Sequence, residues 1–257
     1  MSLMSRGTVK ITHHISRIMP WGDIESLLEV KDEIDSILTR QPKDRAPWKI
    51  DCQNNAEKIA FLESVIMEML RGDGGGMTAG ARRELLWRDL LCSESTLFTS
   101  DTRKLGRDAD YAFKSSHFGM QGISHKSVGY NGGILALSWG NNPIPLERIF
   151  ESPILIVCYK RRIRGTKYDW SEIKHGVYLI PLDYCMGIRH RLGKNNRTDH
   201  LIDQELLLEM LNYSKSCDLF SEIPYVHQKG AGFSLSDWND ALGRIEGDPG
   251  DNSILDY

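Results

Sequence analysis

The stretch Asp101-Thr102-Arg103-Lys104-Leu105-Gly106-Arg107-Asp108-Ala109-Asp110-Tyr111-Ala112-Phe113-Lys114-Ser115-Ser116 gathers the side chains best suited to chemistry. In an extended strand alternate residues share a face, so Asp110, Ala112 and Lys114 point the same way. A hairpin turning near Gly106 lays Asp101 across from residues 111–112, with Asp108 in the turn. Asp101, Asp110 and Lys114 then converge on one small volume. Two carboxylates beside an ammonium suit phosphodiester hydrolysis. Carboxylate oxygens hold Mg2+, a hard cation with an octahedral shell. The cation polarises a phosphate and acidifies a bound water. The ammonium offsets charge developing on the phosphorane. The bland alternative is a solvated hairpin with ordinary surface charges.

Those residues need a frame. Residues 23–38 predict an amphipathic helix capped by Asp23, with Ile24, Leu27, Leu28, Ile34, Ile37 and Leu38 on one side. A second helix is expected at 54–71, stopped by the Gly72–Gly76 run, and a third at 79–91. The texture then changes. Residues 95–116 predict a hairpin, and 133–139, 153–159 and 177–182 predict strands. The 153–159 run is apolar throughout, as in a strand buried on both faces. Helices return at 202–213 and 237–245, the latter capped by Ser236. Helices, then strands, then helices predict an α/β (α+β) fold with a central mixed sheet, a single domain over 4–257. Residues 117–132 are expected to be a loop.

Two blocks carry a resemblance. Asp110-Tyr111-Ala112-Phe113-Lys114-Ser115 resembles a catalytic strand of the PD-(D/E)xK nucleases, whose consensus there is acid-x-Lys. Residues 142–160, from Asn142-Pro143 through Pro153 to Tyr159-Lys160, are similar to a segment of PvuII-like type II restriction endonucleases, in the same order. The resemblance as a whole covers roughly residues 98–185. The resemblance implies a restriction-endonuclease-like sheet flanked by helices. It implies Mg2+-dependent, sequence-specific cleavage of double-stranded DNA by a homodimer. Lys114 then takes the place of the family lysine and Asp101 that of the first metal-binding acid, with Asp110 as its alternative. Ala112 occupies the place of the second acid. An alanine cannot ligate a metal, so on this reading the chain is inactive, either through an introduced Glu-to-Ala change or natively. In the family an early helix often contributes a further Glu, for which Glu63, Glu68 and Glu84 are candidates.

The resemblance also places DNA recognition in Ser138-Trp139-Gly140-Asn141-Asn142, where Ser138, Asn141 and Asn142 are candidate readers. Asn bonds adenine in a bidentate way. His117, His125 and Lys126 lie in the expected loop, where they could contact DNA or merely face solvent. Lys160, Arg161, Arg162 and Arg164, in a run of five positive charges over residues 160–167, are candidates for phosphates. The apolar stripe of the helix at 23–38 could pair with a second copy in a dimer, or pack into the core of its own chain. Two rivals stand beside the nuclease: a non-catalytic DNA-binding protein on the same fold, and an unrelated cytosolic α/β protein.

Composition bounds these readings. The 257 residues carry 32 Lys+Arg and 35 Asp+Glu, a net charge of −3, which excludes a polycation but not a basic cleft. No apolar run reaches the ~18–20 residues of a membrane-crossing helix. Five widely spaced cysteines with no CxxC pair predict neither a disulfide framework nor a structural zinc, and point to the cytoplasm. The opening Met1-Ser2-Leu3-Met4 reads as an added leader, with no secretory signal behind it.

Overall fold

The computed structural model describes residues 21–41, 54–60, 62, 77–105, 108–128, 137–138, 151–158, 173–194 and 200–223. Helix α1, Ile24–Thr39, starts where the Asp23 carboxylate accepts the Ser26 N–H at 2.8 Å. Its apolar stripe of Leu27, Val30, Ile34, Ile37 and Leu38 is buried. Residues 55–60 are helical, within the second helix expected from sequence. Helix α2 runs Met77–Glu94 and sinks Trp87 and Leu91 into the same core as α1.

Six strands form the main sheet: β1 Phe98–Thr99, β2 Tyr111–Ser115, β3 Gly119–Val128, β5 Ile154–Cys158, β6 Gly176–Ile180 and β9 Phe220–Glu222, in the spatial order β1-β2-β3-β5-β6-β9. Every pairing is antiparallel except β3 with β5, which is parallel. A second, three-stranded sheet orders β4 Leu137–Ser138, β8 His200–Ile202 and β7 Gly193–Lys194. Helix α3, Leu182–Ile188, follows β6, and α4, Gln204–Ser216, follows β8 under an Asp203 cap.

The side-chain alternation of the main sheet separates two cores. Tyr111, Phe113, Ile123, Leu155, Val157, Val177 and Leu179 face α1 and α2. Ile154, Ile156, Cys158, Tyr178 and Ile180 face α3 and α4 through Cys185, Leu207, Met210 and Leu211. The sheet is thus covered by helices on both faces, which is why β5 and β6 are buried at every position. At the β6–β9 pairing the strands close tightly. A Cβ on Gly176 would stand 2.3 Å from the Ser221 carbonyl oxygen, so only glycine fits.

Three expectations change here. Residues 119–128, expected as loop, are β3, the longest strand and the one that joins the antiparallel hairpin to the parallel pair. The hairpin at 95–116 forms, but Thr99 rather than Asp101 stands opposite Ala112. The stripe of α1 packs within its own chain, with Leu27, Val30, Ile34 and Ile37 fully buried, so core packing rather than self-pairing accounts for most of it. The expected helix at 237–245 and most of the strand at 133–139 lie outside the described residues. Among the described residues Cys92, Cys158, Cys185 and Cys217 are free thiols, and no helix is long and apolar enough to cross a membrane.

Candidate active site

Asp110 immediately precedes β2. Its N–H donates to the Ile123 carbonyl at 2.9 Å, which continues the ladder one step beyond the Tyr111–Ile123 pair and sets Asp110 against Ser124. Strand alternation then puts Asp110, Ser124 and Lys126 on one face. The contacts agree. Asp110 Oδ2 accepts the backbone N–H of His125, has the Ser124 hydroxyl at 3.5 Å and stands 3.6 Å from Lys126 Nζ. Both side chains of the ion pair are partly shielded, at 23% and 19% exposure for Asp110 and Lys126. Lys126 Nζ also donates to the His125 carbonyl at 2.9 Å.

A second carboxylate reaches this group from α2. Glu84 stands on α2, three and seven residues before the core residues Trp87 and Leu91, and interacts with both Asp110 and Lys126. Burial first, and the Asp110 charge second, push its pKa up to about 7, against the pull of Lys126 and Arg88; a hydrogen bond to Asp110 adds to the rise. Two carboxyls and one ammonium therefore occupy one half-buried volume, assembled from α2, the start of β2 and the middle of β3.

The charge balance of this pair has a measurable consequence. A folded pKa above the unfolded 4.5 means that the folded chain holds the proton more tightly. The associated stability is complete below pH 4.5 and fades as pH rises through about 7. Glu84→Gln removes the charge and keeps the shape. In metal-free buffer the variant is expected to be more stable than the parent at pH 8. The full shift corresponds to ~3 kcal/mol, which partial solvent exposure cuts to about 1–2 kcal/mol. The gap should close by pH 5. Urea denaturation at the two pH values checks it, and equal stability at pH 8 contradicts the placement of Glu84.

The other sequence-derived candidates do not join this group. Asp101 is exposed, and its carboxylate is taken by Arg103 through Nε at 2.9 Å and Nη2 at 2.7 Å, which holds its pKa near 2. The chain leaves the ladder after Thr99, so Asp101 does not sit across from residues 111–112. Lys114 is exposed and pairs with Met120 near the hairpin tip. Four residues at ~3.3 Å each set it about 13 Å along the strand from Asp110. Ala112 is completely buried between Thr99 and Gly122. Asp108 is a fastener: it accepts the N–H groups of Glu151 and Ser152 and the Ser152 hydroxyl at 3.0–3.1 Å, tying the entry of β5 to the hairpin. His117 lies in the β2–β3 turn, with Nε2 3.8 Å from Glu29 at the far end of the hairpin from Asp110. Ser138 is in β4, paired with Leu201 in the small sheet. Asn141, Asn142, Lys160, Arg161, Arg162 and Arg164, with Glu63 and Glu68, lie outside the described residues.

Lys126 was thus expected as a DNA contact from a loop and stands instead in the strand beside Asp110. The signal was present in the chain. Ser124-His125-Lys126 departs from acid-x-Lys by one residue, as Ala112-Phe113-Lys114 does, and follows Asp110 at hairpin distance. Ser124 carries no expectation, and His125 and Lys126 are expected in a loop, because a polar run reads as loop.

Among the described residues no three or more His, Cys, Asp or Glu side chains gather as a ready cation cage. Two carboxylates do suit Mg2+, which commonly keeps several waters and takes one or two protein carboxylates with substrate phosphate. The proton shared at Glu84 marks a place where a cation would relieve carboxylate repulsion. Comparison with known proteins returned nothing: no family model, curated protein or solved structure matches this chain.

Proposed function

We propose that the chain is a Mg2+-dependent phosphodiesterase acting on double-stranded DNA, with Asp110, Glu84 and Lys126 as its working groups. The observation that carries this reading is the Lys126 ammonium 3.6 Å from the Asp110 carboxylate, with the Glu84 carboxyl on the same pair. The mixed sheet, covered by helices on both faces, supports a restriction-endonuclease-like assignment for the fold. So does the acid-x-Lys pattern once it is moved from β2 to β3, with Ser124 at the acid's place and Glu84 from an early helix supplying the carboxylate.

In this reading Asp110 and Glu84 would hold the cation, and a cation bound there would supply charge to polarise a phosphate and acidify a water. Asp110 is fixed in place by the His125 N–H and by the ladder bond of its own N–H. Lys126, part-buried and held by the His125 carbonyl, keeps a positive charge where a phosphoryl oxygen gains negative charge. Ala112 has no catalytic part, so it need not be an altered residue, and the chain is competent as written. A palindromic target would require two copies of this centre, hence a homodimer formed through a surface other than the α1 stripe.

Incubation of supercoiled plasmid with the purified chain tests the reading. Cleavage is expected with Mg2+, none with EDTA, and a loss of at least ~100-fold in Asp110→Asn. Cleavage that survives Asp110→Asn would refute it.

A further inference from the structure

His125 lies between the two polar groups of the proposed site, yet its own side chain points away from them. Its ring occupies the opposite face of β3 and is 2% exposed. Both ring nitrogens are engaged: Nδ1 with the Tyr111 hydroxyl at 3.2 Å and Nε2 with the Ser127 hydroxyl at 3.1 Å. Burial keeps this imidazole neutral. A neutral ring donates at one nitrogen and accepts at the other, and hydroxyls serve either tautomer, so no polar atom is left over. Tyr111 is itself fully buried and packs edge-on against Phe98.

The backbone of the same residue faces the chemistry. Its N–H donates to Asp110 Oδ2 and its C=O accepts from Lys126 Nζ at 2.9 Å. One residue thus touches the carboxylate with its donor and the ammonium with its acceptor. A rotation of His125 about the strand axis would lengthen both backbone contacts together. The ring, pinned at both nitrogens in the core, opposes that rotation.

We propose that His125 is the positioning residue of the site. Its imidazole, locked between Tyr111 and Ser127, holds the peptide groups that set the separation of Asp110 and Lys126. The proposal rests on the hydrolytic reading of those two groups and deepens it. Buried residues that orient groups in this way typically change metal affinity or rate by about 10- to 100-fold.

The test compares the parent chain with Tyr111→Phe, Ser127→Ala, His125→Ala, His125→Asn and Lys126→Ala. Three quantities are read: Mg2+-dependent cleavage, Mn2+ affinity by calorimetry, and the His125 amide resonance in 1H–15N spectra. Tyr111→Phe and Ser127→Ala each remove one hydroxyl and are expected to fold. They should lower kcat about tenfold with KM unchanged, weaken Mn2+ binding and move the His125 amide. His125→Asn, whose amide can replace Nδ1 toward Tyr111, should recover most of what His125→Ala loses, which a loss of packing alone would not produce. Equal kcat and Mn2+ affinity in His125→Ala and His125→Asn overturns the proposal. So do parental values of kcat and of the His125 amide in Tyr111→Phe. Should His125→Ala not fold, the hydroxyl deletions still decide. A parent chain that neither cleaves DNA nor binds Mn2+ overturns the hydrolytic reading instead. The positioning role is then judged from the His125 amide and the Lys126 Nζ resonance, neither of which needs activity.

Discussion

Lys126→Ala is expected to abolish DNA cleavage, by at least ~100-fold in kcat, while Lys114→Ala stays within about twofold of the parent. The two lysines are twelve residues apart in sequence and one strand apart in the sheet, and both have the x-Lys spacing behind a position where an acid is expected. Their surroundings separate them. Lys126 is part-buried, 3.6 Å from Asp110 and bound to the His125 carbonyl, so its charge acts in a shielded volume where each ångström counts. Lys114 stands exposed beside Met120, where solvent screens it. Removing one well-placed charge-stabilising donor costs an enzyme about 10²–10³ in kcat, which sets the magnitude. Lys126→Arg should not rescue, because a planar fork replaces a compact point charge on a shorter reach. Plasmid nicking at pH 8 with Mg2+ reads the effect, and thermal melting of each variant confirms that the fold survives. If Lys114→Ala and not Lys126→Ala loses activity, the site lies on β2 after all.

The contrast between these lysines also shows what was legible in the residues. Helix α1 and strand β5 were visible because each has one dominant signal: a 3.6-residue apolar period in α1 and an unbroken apolar run in Ile154–Cys158. Strand β3 had neither. Gly119-Met120-Gln121-Gly122-Ile123-Ser124-His125-Lys126-Ser127-Val128 carries only two β-branched aliphatic residues, and its middle is polar. That polarity is tolerated because the polar groups find partners. His125 bonds Tyr111 and Ser127, and Ser124 and Lys126 face Asp110. Propensity thus fails at the strand that carries the proposed site, which is where local preference and function are expected to conflict. Missing β3 moved the acid-x-Lys pattern one strand over, onto residues 112–114. On the proposed reading Asp110, the alternative first acid in the sequence, takes the place given there to Asp101. Glu84 was visible only as one of several helix acids. Its role depends on how α2 docks through Trp87 and Leu91, a tertiary fact that no spacing in the sequence encodes.

Ala112→Glu is expected to unfold or severely weaken the protein rather than switch it on. If Ala112 stood in place of a lost metal-binding acid, restoring Glu would add a ligand and create activity. The structure gives the opposite setting. Ala112 is 0% exposed. Its cross-strand neighbours are Thr99 on β1 and Gly122 on β3. The face shared with Gly122 is already filled: a Cβ on Gly122 would come within 2.7 Å of Ala109 Cβ and 3.0 Å of Ser152 Oγ. A carboxylate there has no solvent, and Lys114, two residues on along the same face, is exposed near the hairpin tip. Overpacking costs about 1–3 kcal/mol, and an unpaired buried carboxyl adds a desolvation cost of similar size even when it takes up a proton to stay neutral. The sum, ~3–5 kcal/mol, is a large part of the total stability of an ordinary domain. Since the buried acid would be protonated, the loss should be smaller at pH 5 than at pH 8, the direction set by an acid whose folded pKa is raised. Urea denaturation at both pH values measures it. The same preparation in the plasmid assay completes the comparison, because a stable Ala112→Glu variant that cleaves DNA faster than the parent would return the metal site to residues 101, 112 and 114.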